Sequence, residues 1–330
     1  MLRRTMAAAA AAAAVLALAA CGGTGDSNDN ASPDAGSGDQ PIVVGFSQVG
    51  SESGWRAANT KSIQDALTAE NGFDLKFSDA QQKQENQIQA IRTYIAQGVD
   101  IIAFSPVVTS GWDDVLAEAK AAGIPVVLTD RAVDSQDESL YVTFIGSDFI
   151  QEGERVGAWV SENLGTEPIN VVELQGTTGS APAVDRKTGF ETAIADNPNV
   201  TVIDSQTGNF TRTEGKAVME GFLQAHDNID VVFAHNDDMG LGAIEAIEAA
   251  GLVPGVDIKI VTIDGVKDGM TALADGKISY IVECNPLLGP DLAQIIKDTM
   301  AGTAVEKRIV TQDDAFDQEG AKAVLADRQY

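Results

Sequence analysis

The chain has 330 residues, of which 44% are hydrophobic and 5% are aromatic, so it is long enough to bury two medium-sized cores. Its 49 acidic residues outnumber its 22 basic residues and give a net charge of −27 at pH 7. A surface this acidic repels nucleic acids and anionic membranes, which excludes nucleic acid as a partner.

Residues 1–20 are predicted to be a secretory signal peptide, because two arginines precede an Ala-rich apolar run that is too short to span a membrane. The run ends in Leu18-Ala19-Ala20-Cys21, which resembles the lipobox of bacterial lipoproteins. In that family the signal is removed and the new N-terminal cysteine, here Cys21, is acylated. The alternative is an ordinary signal with a cysteine by chance. The other cysteine, Cys284, is then expected to be a small buried residue.

Small and polar residues without apolar periodicity follow the signal, and they predict a disordered tether over residues 21–40. Its DSNDN run resembles the start of a calcium loop, but the turn glycine and the distal glutamate are missing. We therefore expect membrane contact through the lipid anchor only and no metal site here.

Strand-like and helix-like segments alternate from Ile42 onward, a pattern typical of a parallel sheet with crossover helices. Helical spacing is seen, for example, at Ile88, Ile91 and Ile95. The first series of predicted strands comprises Ile42–Gln48, Phe73–Ser78, Ile101–Ser105 and Pro125–Thr129.

A second series of predicted strands begins near Leu140–Ile145 and ends with a strand at Ile278–Cys284. Two consecutive series predict an α/β fold with two doubly wound parallel-sheet lobes and a cleft between them. The intervening predicted strands are Asn170–Leu174, Val200–Asp204, Asp230–Ala234 and Ile258–Ile263.

The first β-loop-α unit, Val43–Ala58, is the most informative stretch. Ligands of open α/β sheets bind beyond the carboxyl ends of the strands, so residues from Gln48 to Arg56 are expected to face a ligand. An aromatic ring beside a guanidinium and a carboxylate, as in Trp55, Arg56 and Glu52, suits a polyhydroxylated ring. The loop lacks the Gly-Lys-Ser/Thr of a phosphate-binding loop, which argues against a nucleotide.

Polar residues also follow most other predicted strands. Each set has an alternative interpretation, since Asp and Asn often cap the helix after a strand. Six sets at one edge nevertheless favour a shared polar ligand. The sets are Asp130-Arg131, Gln175-Gly176-Thr177, Asp185-Arg186, His235-Asn236-Asp237-Asp238, Asp264-Gly265 and Glu283.

Several long motifs resemble the ribose and galactose class of sugar-binding proteins that serve ABC importers, and they resemble its galactofuranose-binding members most. The resemblance implies a type I periplasmic binding protein fold, in which the chain crosses between lobes three times, near Gly146, Cys284 and Thr311. It implies one lobe of residues 41–146 plus 284–311 and another of 147–283 plus 312–330. The motifs are VGFSQVGSESGWRAA, QQKQENQI, SPVV, IPVVLTDR, VVELQGT, VDRKTGF, AHNDDM and TIDG.

The resemblance also implies roles for individual residues. Asp130 and Arg131 would bind adjacent hydroxyls, Arg186 would donate from the second lobe, and Asn236 and Asp264 would complete the polar ring. Trp55 would stack on the sugar, and Arg56 would reach the substituent on its ring. The predicted ligand-binding set also includes Gln48, Glu52, Thr177 and Glu283, the last at a hinge position where relatives often carry an amide.

The function so implied is capture of one monosaccharide, galactofuranose in the first instance, for delivery to an ABC permease and its ATPase. The protein would act as a monomer without cofactor or metal at the outer face of the cytoplasmic membrane, in the periplasm where an outer membrane exists. Ribose, arabinose or galactopyranose as ligand, or a sugar-sensing receptor for a signalling partner, remain alternatives.

Two other classes fit the sequence less well. A glycosidase could work with carboxylates alone, but the chain has only two histidines, no nucleophile elbow and no zinc-ligand spacing, so we expect no enzyme. A repressor of the same fold would need a helix-turn-helix before Ile42, where the predicted signal and tether stand.

Overall fold

The computed structural model describes residues 40–330, and these form one compact unit. The predicted signal peptide, Cys21 and nearly all of the predicted tether lie outside the described residues. Among the helices of residues 40–330, none has the length and apolar character needed to cross a membrane.

Two six-stranded sheets organise the chain. Every strand pair is parallel except one at an edge of the second sheet, which is formed by the last two strands of that sheet along the chain. The strands of the first sheet are β1 (Ile42–Gln48), β2 (Phe73–Asp79), β3 (Ile101–Phe104), β4 (Val126–Thr129), β5 (Thr143–Gly146) and β11 (Arg308–Val310). Those of the second are β6 (Ile169–Gln175), β7 (Val200–Thr207), β8 (Val231–Ala234), β9 (Lys259–Asp264), β10 (Tyr280–Glu283) and β12 (Ala315–Phe316). The first sheet has the order β11-β5-β4-β3-β1-β2 and the second has the order β12-β10-β9-β8-β6-β7.

Helices cover both faces of each sheet, which makes the central strands continuous apolar runs rather than alternating ones. All four residues of β3, β4 and β8 are buried for this reason. The helices are α1 (Gly54–Ala66), α2 (Gln84–Gln97), α3 (Asp113–Ala121), α4 (Phe149–Asn163), α5 (Ala181–Ile194), α6 (Arg212–Ala225), α7 (Asp237–Ala249), α8 (Lys267–Ala274), α9 (Gly289–Met300) and α10 (Gln318–Val324).

Short polar side chains fix where several of these helices begin. Ser53, Asp148, Thr211 and Asn236 each accept a hydrogen bond from the backbone N–H three residues further on. They satisfy donors that the first helical turn leaves without a partner. Because α1 and α7 follow strands directly, their first turns lie at the carboxyl edge of each sheet.

The strand near Leu140–Ile145 was predicted to open the second series, and this was wrong. The strand is β5, which pairs in parallel with β4 through Val127 and Thr143 and belongs to the first sheet. A four-residue apolar strand carries no information about its partner, and the helix that follows it, α4, is the first element to pack on the second sheet.

Three crossings join the two lobes, as predicted. The chain passes from β5 to α4, from β10 to α9 and from β11 to β12, and the crossing residues touch one another. The Ser147 hydroxyl oxygen lies 3.1 Å from the Thr311 hydroxyl oxygen and 3.4 Å from the Cys284 sulfur. The three crossings therefore form one narrow hinge at the carboxyl edges of both sheets.

Candidate ligand-binding cavity

A small cavity lies beside the hinge, between the carboxyl edges of the two sheets. Its lining residues come from both lobes and from the hinge, and most are buried. They are Glu52, Ser53, Trp55, Arg56, Asp130, Arg131, Pro182, Arg186, Phe210, Asn236, Asp264 and Cys284.

Paired charged side chains form the wall from the first lobe. Arg56 donates to Asp130 Oδ2 at 2.6 Å and to Glu52 Oε1 at 3.0 Å, and Ser105 donates to Asp130 Oδ2 at 2.8 Å. The Arg131 guanidinium lies 3.6 Å from Glu52 Oε1. Two arginines and two carboxylates thus alternate in this wall, from the loop before α1, the first turn of α1 and the two residues after β4.

Burial and neighbouring charge set the pKa values of this wall. Burial alone would lower the pKa of Arg56, but Asp130 and Glu52 beside it raise it above its usual value. Burial and the neighbouring Arg56 lower the pKa of Arg131 to about 10. Burial would raise the pKa of Asp130, but the two arginines outweigh it and lower it. All three groups are therefore charged at neutral pH.

The wall from the second lobe is centred on Arg186, which projects from α5. Its Nε donates to Glu152 Oε2 at 2.7 Å, its NH1 group donates to the His235 carbonyl at 2.5 Å, and its NH2 group lies 3.7 Å from Asp264 Oδ1. Burial raises the pKa of Glu152 to about 7 despite the adjacent Arg186. Burial also raises the pKa of Asp264 well above its usual value, with Asp237 adding to the effect.

Two aromatic rings supply the apolar part of the lining. The indole N–H of Trp55 donates to the Cys284 carbonyl at 2.6 Å, which ties α1 to the hinge. The Phe210 ring lies 5.2 Å from the guanidinium carbon of Arg131 and 6.0 Å from that of Arg186. A side chain at Gly176 would overlap the Phe210 ring, so the loop after β6 accepts only glycine at that position.

The backbone is strained at both walls. Phe210 has φ +64°, Asp130 has φ +62° and Asp264 has φ +134°, in the region that side-chain-bearing residues rarely adopt. At each of these positions the strained backbone places a side chain in the lining of the cavity. Such outliers concentrate at functional sites.

Most residues of the predicted ligand-binding set lie in the cavity lining, but three do not. Gln48 stands behind Arg56, accepting from its NH1 group at 3.2 Å, and the carbonyl of Thr177 accepts from the Ser180 N–H at 3.0 Å. Glu283 turns away toward the C-terminal residues. The residues in the lining are Glu52, Trp55, Arg56, Asp130, Arg131, Arg186, Asn236 and Asp264.

The position of Glu283 has a simple cause in its partners. It lies 2.6 Å from an Arg328 guanidinium nitrogen, accepts the Tyr330 hydroxyl at 2.6 Å and accepts the Asp314 N–H at 3.0 Å. Its carboxylate is fully used in holding the end of the chain to β10, and it does not reach the cavity.

Sequence reasoning missed Pro182 and Phe210, included Ser53 only within the stretch Gln48 to Arg56, and gave Cys284 a packing role near a predicted crossing. Phe210 follows Gly208 and Asn209 just after β7, so its place at a strand end was a usable signal. Asn236 lies in the lining, but its side chain donates to the Phe210 carbonyl at 3.1 Å and accepts from the Met239 N–H at 3.0 Å. It therefore holds the Phe210 loop as well as capping α7.

A larger groove of about 590 Å³ lies between α1 and α9. Exposed or partly exposed side chains such as Lys61, Asp65, Gln294 and Lys297 line it. Buried polar groups do not converge there, whereas they do in the smaller cavity. The smaller cavity is therefore the candidate functional site.

Comparison with known proteins gives a family match and several similar proteins. The periplasmic binding protein domain family matches residues 44–304. The chain is 50% identical over 289 residues to the galactofuranose-binding protein YtfQ of Escherichia coli, covering 86% of this chain and 91% of that protein.

Two solved structures are also similar. One is a protein from Mycobacterium smegmatis in complex with β-D-fucofuranose, with 62% identity, a TM-score of 0.86 and coverage of 88% of this chain and 95% of that one. The other is the periplasmic binding component of the arabinose ABC transporter of Shewanella sp. ANA-3, bound to α- and β-L-arabinofuranose. It has 49% identity, a TM-score of 0.83 and coverage of 87% of this chain and 95% of that one.

Proposed function

Because this chain belongs to the periplasmic binding protein family, we propose that it captures one monosaccharide between its lobes and delivers it to an ABC permease for import. The observation that carries the proposal is the convergence of buried charged side chains from both lobes on one small cavity. Polar groups from both lobes enclose this cavity, which suits a small polar ligand.

The charges of the cavity favour a neutral ligand. Arg56 is already paired with Asp130 and Glu52, and Arg186 is paired with Glu152, while Asp264 adds a further carboxyl group. In the wall from the first lobe two arginines face two carboxylates, so a sugar phosphate or a uronic acid would meet no uncompensated positive charge there. A neutral polyol can accept from the guanidinium groups and donate to the carboxylates at once.

Specific atoms are available for such bonds. Glu52 Oε2 and Arg131 Nε are buried and have no hydrogen-bond partner among residues 40–330. A buried polar atom without a partner costs about 1 to 3 kcal/mol, so a hydroxyl that bonds to it gains affinity. We assign Glu52, Asp130, Arg131, Arg186 and Asp264 to the hydroxyls. Trp55 and Phe210 would contact the apolar faces of the ring.

We further propose that the ligand is a furanose, with galactofuranose the first candidate. The relatives described above are named for galactofuranose or were solved with fucofuranose or arabinofuranose, and these sugars share a five-membered ring. Their identities of about half or more to this chain support a similar ligand.

Calorimetric titration of residues 40–330 with D-galactose, D-fucose, L-arabinose and D-ribose tests the function. We expect micromolar or tighter apparent dissociation constants for the sugars that form the preferred furanose. The apparent affinity is reduced by the fraction of free sugar in that ring form, so nuclear magnetic resonance of the bound sugar should identify the ring. Binding no tighter than millimolar for the whole panel would overturn the proposal.

We also propose that the protein acts outside the cytoplasmic membrane, anchored by lipid on Cys21. The apolar signal and the Leu18-Ala19-Ala20-Cys21 sequence support this. Cys21→Ser should move the protein to the soluble fraction or leave an uncleaved precursor. Unchanged membrane retention with an unmodified Cys21 in mass spectrometry would contradict the anchor.

A further inference from the structure

Two hydrogen bonds cross the cleft directly, outside the lining of the cavity. The Gly54 N–H donates to Asp238 Oδ2 at 2.7 Å, and the Thr109 N–H donates to the Gly179 carbonyl at 2.9 Å. None of these four residues lines the cavity. The bond at Gly54 is the stronger candidate for a functional role, because its acceptor is a carboxylate.

The second lobe holds Asp238 in place. Asp238 lies in the first turn of α7, just after the capping residue Asn236, and it is 8% exposed. Its Oδ1 lies 3.4 Å from Arg212 Nε, and Arg212 also donates to Asp268 at 3.1 Å. These partners all belong to the same lobe, so the carboxylate is oriented before it meets the first lobe.

The first lobe presents a matching donor. Gly54 is the first residue of α1, and its N–H points out of the helix, as the N–H groups of a first turn do. A carboxylate at a helix N-terminus also gains from the helix dipole. Gly54 stands between Ser53 and Trp55, which line the cavity. The bond therefore holds the loop that carries much of the first wall.

We propose that Asp238 is a closure residue, which sets the affinity for sugar by bonding to Gly54 across the cleft without touching the sugar. The proposal rests on the function proposed above. When the lobes separate, the Gly54 N–H turns to water and the bond is lost, so the bond favours the closed state alone. Since Asp238 lies outside the cavity lining, it changes the affinity for every bound sugar by the same factor.

Asp238→Asn tests this with little change of shape. We expect about tenfold weaker binding and a correspondingly faster dissociation for each sugar that the wild type binds, because a charged hydrogen bond is replaced by a neutral one. Asp268→Asn is the matched control, since Asp268 also pairs with Arg212 but does not reach the first lobe. Its affinity should stay within about twofold of wild type.

A second pair of variants tests the donor from the other lobe. Gly54→Pro removes the N–H at the first position of a helix, where proline is tolerated, and the preceding Ser53 already has the extended backbone that proline requires. Gly54→Ala keeps the N–H, and its added carbon would lie 3.5 Å from Asp238 Oδ2, an ordinary contact. We expect Gly54→Pro to weaken binding about tenfold or more and Gly54→Ala to bind like wild type.

The two changes together should show coupling. In the Gly54→Pro background, Asp238→Asn should add less than about twofold, because the bond that it weakens is already gone. Three outcomes would overturn the closure role while the wild type still binds sugar. They are fully additive effects of the two changes on binding, wild-type affinity of Asp238→Asn, and a loss of affinity in Asp238→Asn that differs between sugars. If the wild type binds no sugar, both proposals fall.

Discussion

Single residues of the cavity owe their positions to the edge of each sheet. Asp130 and Arg131 lie in the cavity because they directly follow β4, a placement that is readable from sequence, whereas Arg186 reaches it from the second turn of α5. Trp55 was predicted to stack on a ligand, yet its indole N–H is committed to the hinge at Cys284. Such a commitment depends on a residue 229 positions away, which no local pattern reveals.

Phe210 was wrongly left out of the predicted ligand-binding set, and Glu283 was wrongly included in it. Phe210 was missed because its loop carries no charge, and its backbone strain is visible only in the fold. Glu283 was included because it ends a strand, but Arg328 and Tyr330 from the end of the chain reach it first. The type of a site residue can thus be predicted, whereas its partners must be observed.

The buried Glu152 leads to a prediction of how the stability of the protein depends on pH. Burial raises its pKa to about 7 from an ordinary 4.5 against the effect of Arg186, with Asp313 adding to the rise. The folded state keeps this proton from about pH 4.5 to 7 while the unfolded chain has lost it. The free energy of unfolding therefore falls as pH rises through that window, by about 3 kcal/mol for this group.

Glu152→Gln should remove that part of the pH dependence, since the amide oxygen still accepts from Arg186 and does not ionise. We expect denaturant titrations at pH 5 and pH 8 to differ less for this variant than for the wild type. The exposed Glu154 on the same helix supplies the control, Glu154→Gln, which should keep the wild-type difference. Parallel pH profiles for Glu152→Gln and wild type would contradict the assignment.

At the scale of elements, buried strands were the easiest to predict. The β1 prediction coincides with the structure because its apolar run is bounded by a polar start and a loop, and β3 differs by one residue. The sequence pattern predicted neither the partner of β5 nor the two-residue strand β12. β12 exists only because Ile281 and Val282 of β10 present a free edge to Ala315 and Phe316.

In the whole molecule, the charged cavity walls of the two lobes explain why closing of the lobes should depend on a bound ligand. Arg131 and Arg186 come from different lobes and meet the same cavity, so a sugar bonded to both lowers the energy of the closed state alone. Small-angle scattering should then give a smaller radius of gyration with saturating sugar than without. A sugar that fails to bind in calorimetry serves as the control, and identical curves at saturation would rule out closure.

The strained backbone at Asp130, Phe210 and Asp264 has a consequence for mutation. Each non-glycine residue held in such a conformation costs about 1 to 3 kcal/mol of stability. Glycine would relieve that strain, but at Asp130 it would leave the buried Arg56 guanidinium without its partner, and at Phe210 it would remove a buried ring. A substitution at these positions therefore combines two effects of opposite sign on stability.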